Sequence, residues 1–465
     1  MGTTSTGHAD NLPDIGTAAV GTLSLQKEAV IGDFYMRQMR GTQPLVSDPL
    51  LSDYVQELGY RLLRNASDIN FPFTFFVVNN PEINAFAFFG GHIGIHTGLF
   101  LYAETESEIA SVFAHEIAHV TQRHLARMME AQAKAAPATM AAIAGSILLA
   151  IVNPTAGMAG LSGTMAASQQ GSINYTRSNE EEADRIGMKN LAASGFDPQG
   201  MPDFFGKMAE RYRFSSKPPQ MLLTHPLPES RIADSRNRAQ QYPKPAHNSS
   251  LAFELAKARV MVRYNPEKPQ VILNIFQRML QKQTYNEKAA AEYGLALALT
   301  DAGQDAKAKE ILDRLHSNDP SNLYYIDTLT DLDTKARRYD KAEQRLLKEQ
   351  KLRPDSSVIN INLASVYLEQ RKFKEATAVL EKYQPHDKNN TLVYGMMVRA
   401  YQGAGKQPQM HQAKAEQYAL VGAFNRAVKE LHQAHPLLEG NVIEQSKIEE
   451  RIRQLRELDT QVKNL

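Results

Sequence analysis

Apolar positions along the first part of the chain change period more than once. From Leu23 to Arg64 they recur at helical spacing, and Asp48-Pro49 opens a fresh segment from Leu50 to Leu63. Phe71 to Val78 (FPFTFFVV) is rich in aromatic and β-branched residues and reads as a strand, followed by a turn at Asn79-Asn80-Pro81. Ile83 to Phe89 and His92 to His96 read as two more short strands around Gly90-Gly91. The period then returns to helical. Apolar side chains fall at 109, 112, 113, 117 and 120, with no Gly or Pro for more than twenty residues, which predicts a buried helix. Arg123 to Lys134 continues it as a polar helix.

An Ala/Gly/Met-rich stretch from Pro137 to Gly171 follows, in two apolar halves around Asn153-Pro154. It suits a helical hairpin or lid near a cleft, or core packing; the pattern does not separate them. Its apolar run Ala138 to Val152 has fifteen residues, short of the roughly 20 that span a bilayer, and reads as a buried or interfacial helix. Asn174 to Gly187 predicts a helix capped by Ser178 or Asn179, with carboxylates in its first turn. Met201 to Arg213 is another helical block. In Thr224-His225-Pro226-Leu227-Pro228 the prolines hold His225 stiffly.

From about Ser249 the chain is helical throughout and repeats with a period of 34: Leu295, Leu329, Leu363 and Met397; Ala308, Ala342 and Ala376; Leu312, Leu346 and Leu380; Pro320 and Pro354; Tyr367 and Tyr401. A small residue in the second helix and Pro in the closing turn match the tetratricopeptide pattern. The register slips after Tyr401, where irregular pairs are expected, and Ile443 to Leu465 reads as a charged helix covering the open end. Such an array takes peptides on its concave face, serves dimerisation, or packs against the preceding unit. The division is therefore a mobile arm at 1–20, one unit at 21–245 and a repeat array at 250–465.

Composition removes alternatives. With 52 basic against 51 acidic side chains there is no global pull toward nucleic acid. There is no Cys, so disulfides and thiolate metal sites are excluded and a metal must be held by His and carboxylate. The first twenty residues lack the basic start and apolar core of a signal peptide, which fits a cytosolic protein or a processed one equally.

The candidate chemistry lies in His115-Glu116-Ile117-Ala118-His119. Residues four apart share a helical face, so both imidazoles can meet one ion with Glu116 beside them as general base for a water. H-E-x-x-H also occurs by chance, so a third ligand downstream is required. Glu180 is the candidate, and Asp184, one turn on, would receive a ligand imidazole N–H; the alternative is an ordinary charged first turn. Glu181 and Glu182 are expected in solvent. His225 is a turn residue on spacing alone. The hairpin strand Asn84, Ala85, Phe86, Ala87, Phe88 either pairs with an extended substrate or merely packs on the helix.

HEIAH, NEEEADRIG and THPLPESRI, with NAFAFFGGHIGIHTGLF upstream, resemble the HtpX/CAAX-prenyl-protease-like zinc metallopeptidases, which are gluzincins, over about residues 25 to 240. Phe89 stands where many members carry Pro. The metzincin pattern fails at Gln122 and Leu125, and His124 is expected at the surface. The resemblance implies a mainly α fold: a gluzincin-type α+β metallopeptidase unit with a small sheet, then a tetratricopeptide α-solenoid. It implies one zinc ion held by His115, His119 and Glu180, Glu116 as base, Asp184 behind the ligands, and His225 and Arg231 lining the site. Arg231 is a candidate oxyanion stabiliser, and His225 a plug on the metal's open position.

A peptidase unit followed by such an array resembles the periplasmic proteases that attend outer-membrane β-barrel assembly in Gram-negative bacteria. That implies a removed signal peptide, unfolded or misassembled outer-membrane proteins as substrates, and the β-barrel assembly machinery as a partner of the repeats. The second expectation is an assembly chaperone whose array does the main work while the protease site is silent. Prenyl-protein processing is disfavoured, because it needs transmembrane spans.

Overall fold

Two capped helices lead the chain. Ser24 accepts from the Lys27 N–H at the start of α1 (Leu25–Thr42), and Asp48 accepts from the Leu50 N–H at the start of α2 (Pro49–Leu63). The structure, a computed structural model, describes residues 23–135, 169–214, 219–245 and 249–463. The arm expected at 1–20, the run Ala138 to Val152 and most of 137–171 lie outside them. Among the described residues no helix is long and apolar enough to cross a membrane.

Three strands, β1 (Thr74–Val78), β2 (Ala85–Phe88) and β3 (His92–His96), form a sheet in the order β1-β3-β2. β1 runs parallel to β3, whereas β2 is antiparallel to it with Phe88 opposite His92. The first strand starts at Thr74 rather than Phe71, because Pro72 has no N–H to give and the Thr74 N–H reaches the Gly91 carbonyl at 2.9 Å. Gly90 and Gly91 take φ of +77° and +81°, the left-handed region that closes the hairpin.

Helices α3 (Thr97–Tyr102), α4 (Glu106–Thr121), α5 (His124–Ala135), α6 (Gln169–Ala193), α7 (Gly200–Tyr212), α8 (Gln220–Thr224) and α9 (Glu229–Ala239) complete this half. α4 is buried along nearly its whole length, between α2, the sheet, α6 and α7. Two helices depart from the pattern expected of them. The helix carrying His115 does not run on to Lys134: it ends at Thr121, and Arg123 takes φ +53° before α5 begins. That left-handed turn is held from outside, since the Arg123 guanidinium pairs with Glu28, with Nε at 2.9 Å, and reaches the Leu23 carbonyl at 2.7 Å. α6 starts at Gln169, so Ser178 and Asn179 sit inside it rather than capping it, and the acidic triplet is not a first turn. Their weaker helix propensity costs only tenths of a kcal/mol.

Downstream, helix pairs stack with the 34-residue register. Second helices start at Asp305, Tyr339, Phe373 and Gln407. The turn before each holds a left-handed residue: Gly303, Arg337, Arg371 and Gly405. Ala308, Ala342 and Ala376 are fully buried where paired helices approach. The slip expected after Tyr401 does not occur in the helix starts: Phe424 and Val442 open helices 33 and 35 residues after those that start at Thr391 and Gln407, and only the lengths turn irregular, with a short Phe424–Ala434, a 3-10 turn and the long Val442–Lys463.

The array is packed onto the first half. One apolar core runs from Leu50 and Phe113 through Phe253 and Tyr293 to Val358. Arg259, buried, donates to Asp48 at 2.5 Å and forms an ion pair with Asp327 at 2.8 Å. Ser357 donates to Asp53 at 2.6 Å, and Arg37 of α1 reaches the Ala419 carbonyl at 2.6 Å.

Candidate metal centre

The close approach of α4 and α6 builds the site. At Gly187 of α6 an added Cβ would sit 3.1 Å from the Ala114 carbonyl and the His115 nitrogen, so glycine lets the two backbones nearly touch where His115 begins. Glu180 and Asp184, one turn apart on α6, then face the imidazoles of α4. The turn between α8 and α9 brings in His225.

Four side chains converge. His115 Nε2 lies 3.0 Å from His119 Nε2, 3.3 Å from His225 Nδ1 and 3.4 Å from Glu180 Oε2. Glu180 Oε1 lies 3.4 Å from His119 Nε2 and 3.1 Å from His225 Nδ1. Donor atoms about 2.1 Å from a common ion at tetrahedral angles stand about 3.4 Å apart, so these separations match neighbours around one cation. The donors' proton positions agree. His115 Nδ1 is 3.0 Å from Asp184 Oδ1, and a carboxylate at that distance favours the tautomer with the hydrogen on Nδ1 and the Nε2 lone pair turned inward. A cation between them would satisfy the ligand atoms that face one another at these distances. Among the described residues, His115, His119, Glu180 and His225 form the one such cluster of metal-ligating side chains.

The surrounding charges are set by burial and by these contacts. Burial works to raise the Glu180 carboxyl, but His225 and His119 outweigh it and hold it well below its usual range. Asp184 is likewise held low, against burial, by His115 and Arg231. Glu116 is fully buried, its Oε1 3.5 Å from His225 Nε2, and burial raises it above the ordinary carboxylate range. A raised carboxylate is better matched to taking a proton near neutral pH.

A family model, "Peptidase family M48", matches residues 49–239, the stretch that contains every one of these side chains. The "Beta-barrel assembly-enhancing protease" of Escherichia coli (strain K12) is 44% identical over 98% of this chain and 93% of its own length. The "Putative beta-barrel assembly-enhancing protease" of Vibrio cholerae is 47% identical over 96% of this chain and 92% of its own length. The chain belongs to the β-barrel assembly-enhancing proteases of peptidase family M48. "Mitochondrial metalloendopeptidase OMA1" of Arabidopsis thaliana is 33% identical over 29% of this chain and 25% of that protein. The site of this M48 peptidase is therefore that of a metallopeptidase, and its donor set of imidazoles and a carboxylate fits a divalent ion of zinc's preferences.

Other residues singled out in the sequence fall in different places. The Arg231 guanidinium is bidentate to Asp184, with both contacts at 2.7 Å, and also reaches the Pro226 carbonyl at 2.7 Å and Glu180 at 2.9 Å. It braces both carboxylates. The edge strand β2 runs beside α4, with the Ala87 backbone next to Glu116. Asn84, Ala85, Phe86 and Phe88 are buried, and Asn84 Oδ1 has no hydrogen-bond partner among the described residues.

Two expectations are overturned. His124 is not at the surface: it is buried, with Nδ1 2.8 Å from His119 Nδ1 and Nε2 3.1 Å from Glu182 Oε2. Glu182, expected in solvent, is half-buried by that contact and by Arg127 at 2.9 Å. In an unbroken helix His124, five residues past His119, would lie on another face; the left-handed Arg123 returns it. The third His of HEIAHVTQRH was the available signal, and the helix break that makes it meaningful has none.

Proposed function

We propose that this chain is a zinc-dependent endopeptidase held latent by His225, acting in the periplasm on unfolded or misassembled outer-membrane proteins. The observation that carries the reading is the convergence of His115, His119 and Glu180 beside the buried Glu116. Bound there, zinc would polarise a scissile carbonyl and acidify a water. Glu116 would take the proton of an attacking water and pass it to the leaving amine. Asp184 fixes the His115 tautomer, and Arg231 positions Asp184 and Glu180 rather than touching substrate.

Substrate alignment falls to β2. The His96 N–H bonds the Asn84 carbonyl, and bonded residues alternate in an antiparallel pair, so Ala85 and Ala87 turn their backbone groups away from β3 toward the Glu116 side. His225 supplies a fourth donor where an active centre needs an open one, which supports latency. Residues 21–245 then act as the peptidase unit. Residues 250–465 act as the repeat unit that engages the β-barrel assembly machinery, the place of action suggested by the relatives' name. The test is zinc content and digestion of an unfolded outer-membrane protein by wild type, Glu180→Ala and Glu116→Gln. Loss of zinc only in Glu180→Ala, with loss of cleavage in both, supports the reading; cleavage by Glu116→Gln would end it.

A further inference from the structure

His119 is backed by a residue outside the His115–His119 stretch. Its inner nitrogen Nε2 belongs to the cluster, and its outer nitrogen Nδ1 meets His124 Nδ1 at 2.8 Å, the rings crossing at 80°. One of two facing imidazole nitrogens must donate and the other accept. His124 Nε2 settles which, because it lies 3.1 Å from Glu182 Oε2, an acceptor itself pinned by Arg127 at 2.9 Å. The His124 proton therefore sits on Nε2, its Nδ1 is a bare acceptor, and the His119 proton is drawn to Nδ1. That leaves the His119 Nε2 lone pair turned inward.

We propose that His124, oriented by Glu182, is the positioning residue for His119. It fixes the tautomer and ring angle that make His119 a metal ligand, as Asp184 does for His115. The two ligands of α4 are thus backed from α6 in different ways: His115 directly by Asp184, His119 through a second imidazole by Glu182. This rests on the metal-centre reading above. Outer partners of ligating imidazoles are worth about 10- to 100-fold in metal affinity.

The test measures zinc affinity by chelator competition and the visible spectrum of the Co²⁺-substituted protein, with the melting temperature of the metal-free form as control. His124→Ala should weaken zinc binding about 10- to 100-fold and alter the Co²⁺ bands. His124→Asn, whose amide oxygen can stand where Nδ1 stood, should restore most of the affinity. His124→Gln, which places its amide at the Nε2 position, should not. Glu182→Ala should weaken binding in the same direction and covers the case in which His124→Ala does not fold.

Zinc binding by His124→Ala equal to wild type, with an unchanged Co²⁺ spectrum, would overturn the proposal. So would a weakening that Asn fails to restore and that follows the loss of metal-free stability. Wild type and His115→Ala frame the assay. A wild type that holds no stoichiometric zinc sinks the metal-centre reading itself, whereas a zinc-binding wild type with an indifferent His124 sinks only this one.

Discussion

His225 stands between Glu180 and Glu116, its Nδ1 3.1 Å from Glu180 Oε1 and its Nε2 3.5 Å from Glu116 Oε1. One ring thus completes the donor cluster and crowds the carboxylate assigned as base. Removing it should leave three donors, enough to keep zinc, and free a position for water. His225→Ala is therefore expected to retain stoichiometric zinc and to digest an unfolded substrate faster than wild type. An inactive variant with zinc still bound would make His225 a participant in catalysis rather than a plug.

Glu116→Gln keeps the shape of the side chain and removes its basicity. Because Glu116 is not one of the converging donors, zinc content should match wild type. The cleavage rate should fall by at least about 10²-fold, the usual contribution of a general base. The pair of measurements, metal analysis and single-substrate kinetics, checks both halves.

Gly187 ties the stability of the fold to the geometry of the site. An alanine Cβ there would press on the Ala114 carbonyl and the His115 nitrogen from 3.1 Å, with backbone on both sides and little room to yield. Gly187→Ala should cost about 1–3 kcal/mol in stability, the range for overpacking. It should also weaken zinc binding, since the strain moves Glu180 and Asp184 away from His115. Chemical denaturation of the metal-free protein and chelator competition would separate the two effects.

Much of this arrangement was legible in periodic spacing and some of it was not. His115 and His119 share a face because they are four apart, as do Glu180 and Asp184, and the 34-residue register exposed the helix pairs. The start of α6 was hidden because Ser178 and Asn179 look like a cap yet sit inside a helix. His124 was hidden because Arg123, a side chain with no preference for positive φ, makes the turn that aims it. The same ambiguity masks the repeat turns, where Gly303 and Gly405 announce a left-handed residue while Arg337 and Arg371 do not. Contacts between the halves, such as Arg37 with the Ala419 carbonyl, join positions hundreds of residues apart and leave no mark on local pattern.

His96 gives the fold a defined acid limit. Burial lowers it to about 4, so it is neutral in the folded protein, whereas an unfolded His titrates near 6.5. Between those values the unfolded chain binds more protons, so the contribution is full above pH 6.5 and is lost as pH falls toward 4. The loss is up to about 3 kcal/mol. His96→Gln should be less stable at pH 7 yet lose less on going to pH 4.5, with His92, also lowered to about 4, retaining its own share. Urea midpoints at the two pH values check the slope.

Arg259 links the halves: its guanidinium donates to Asp48 of the first half and to the Tyr293 hydroxyl of the array, and it forms an ion pair with Asp327 of the array. All three charged groups are buried, and the apolar core around them runs from one half into the other without interruption. Arg259→Ala would strand two carboxylates with no counter-charge, a cost of about 3–5 kcal/mol for breaking such a pair. Restoring neutrality by adding Asp48→Asn and Asp327→Asn should recover much of that loss, since the penalty lies in the uncompensated charge rather than in the missing side chain. Because the core is shared, wild type should melt in one transition when followed both by probes in residues 49–239 and by probes in the array. In Arg259→Ala the two signals should separate. Two separate transitions already in wild type would mean that the ion pair decorates the interface without coupling it.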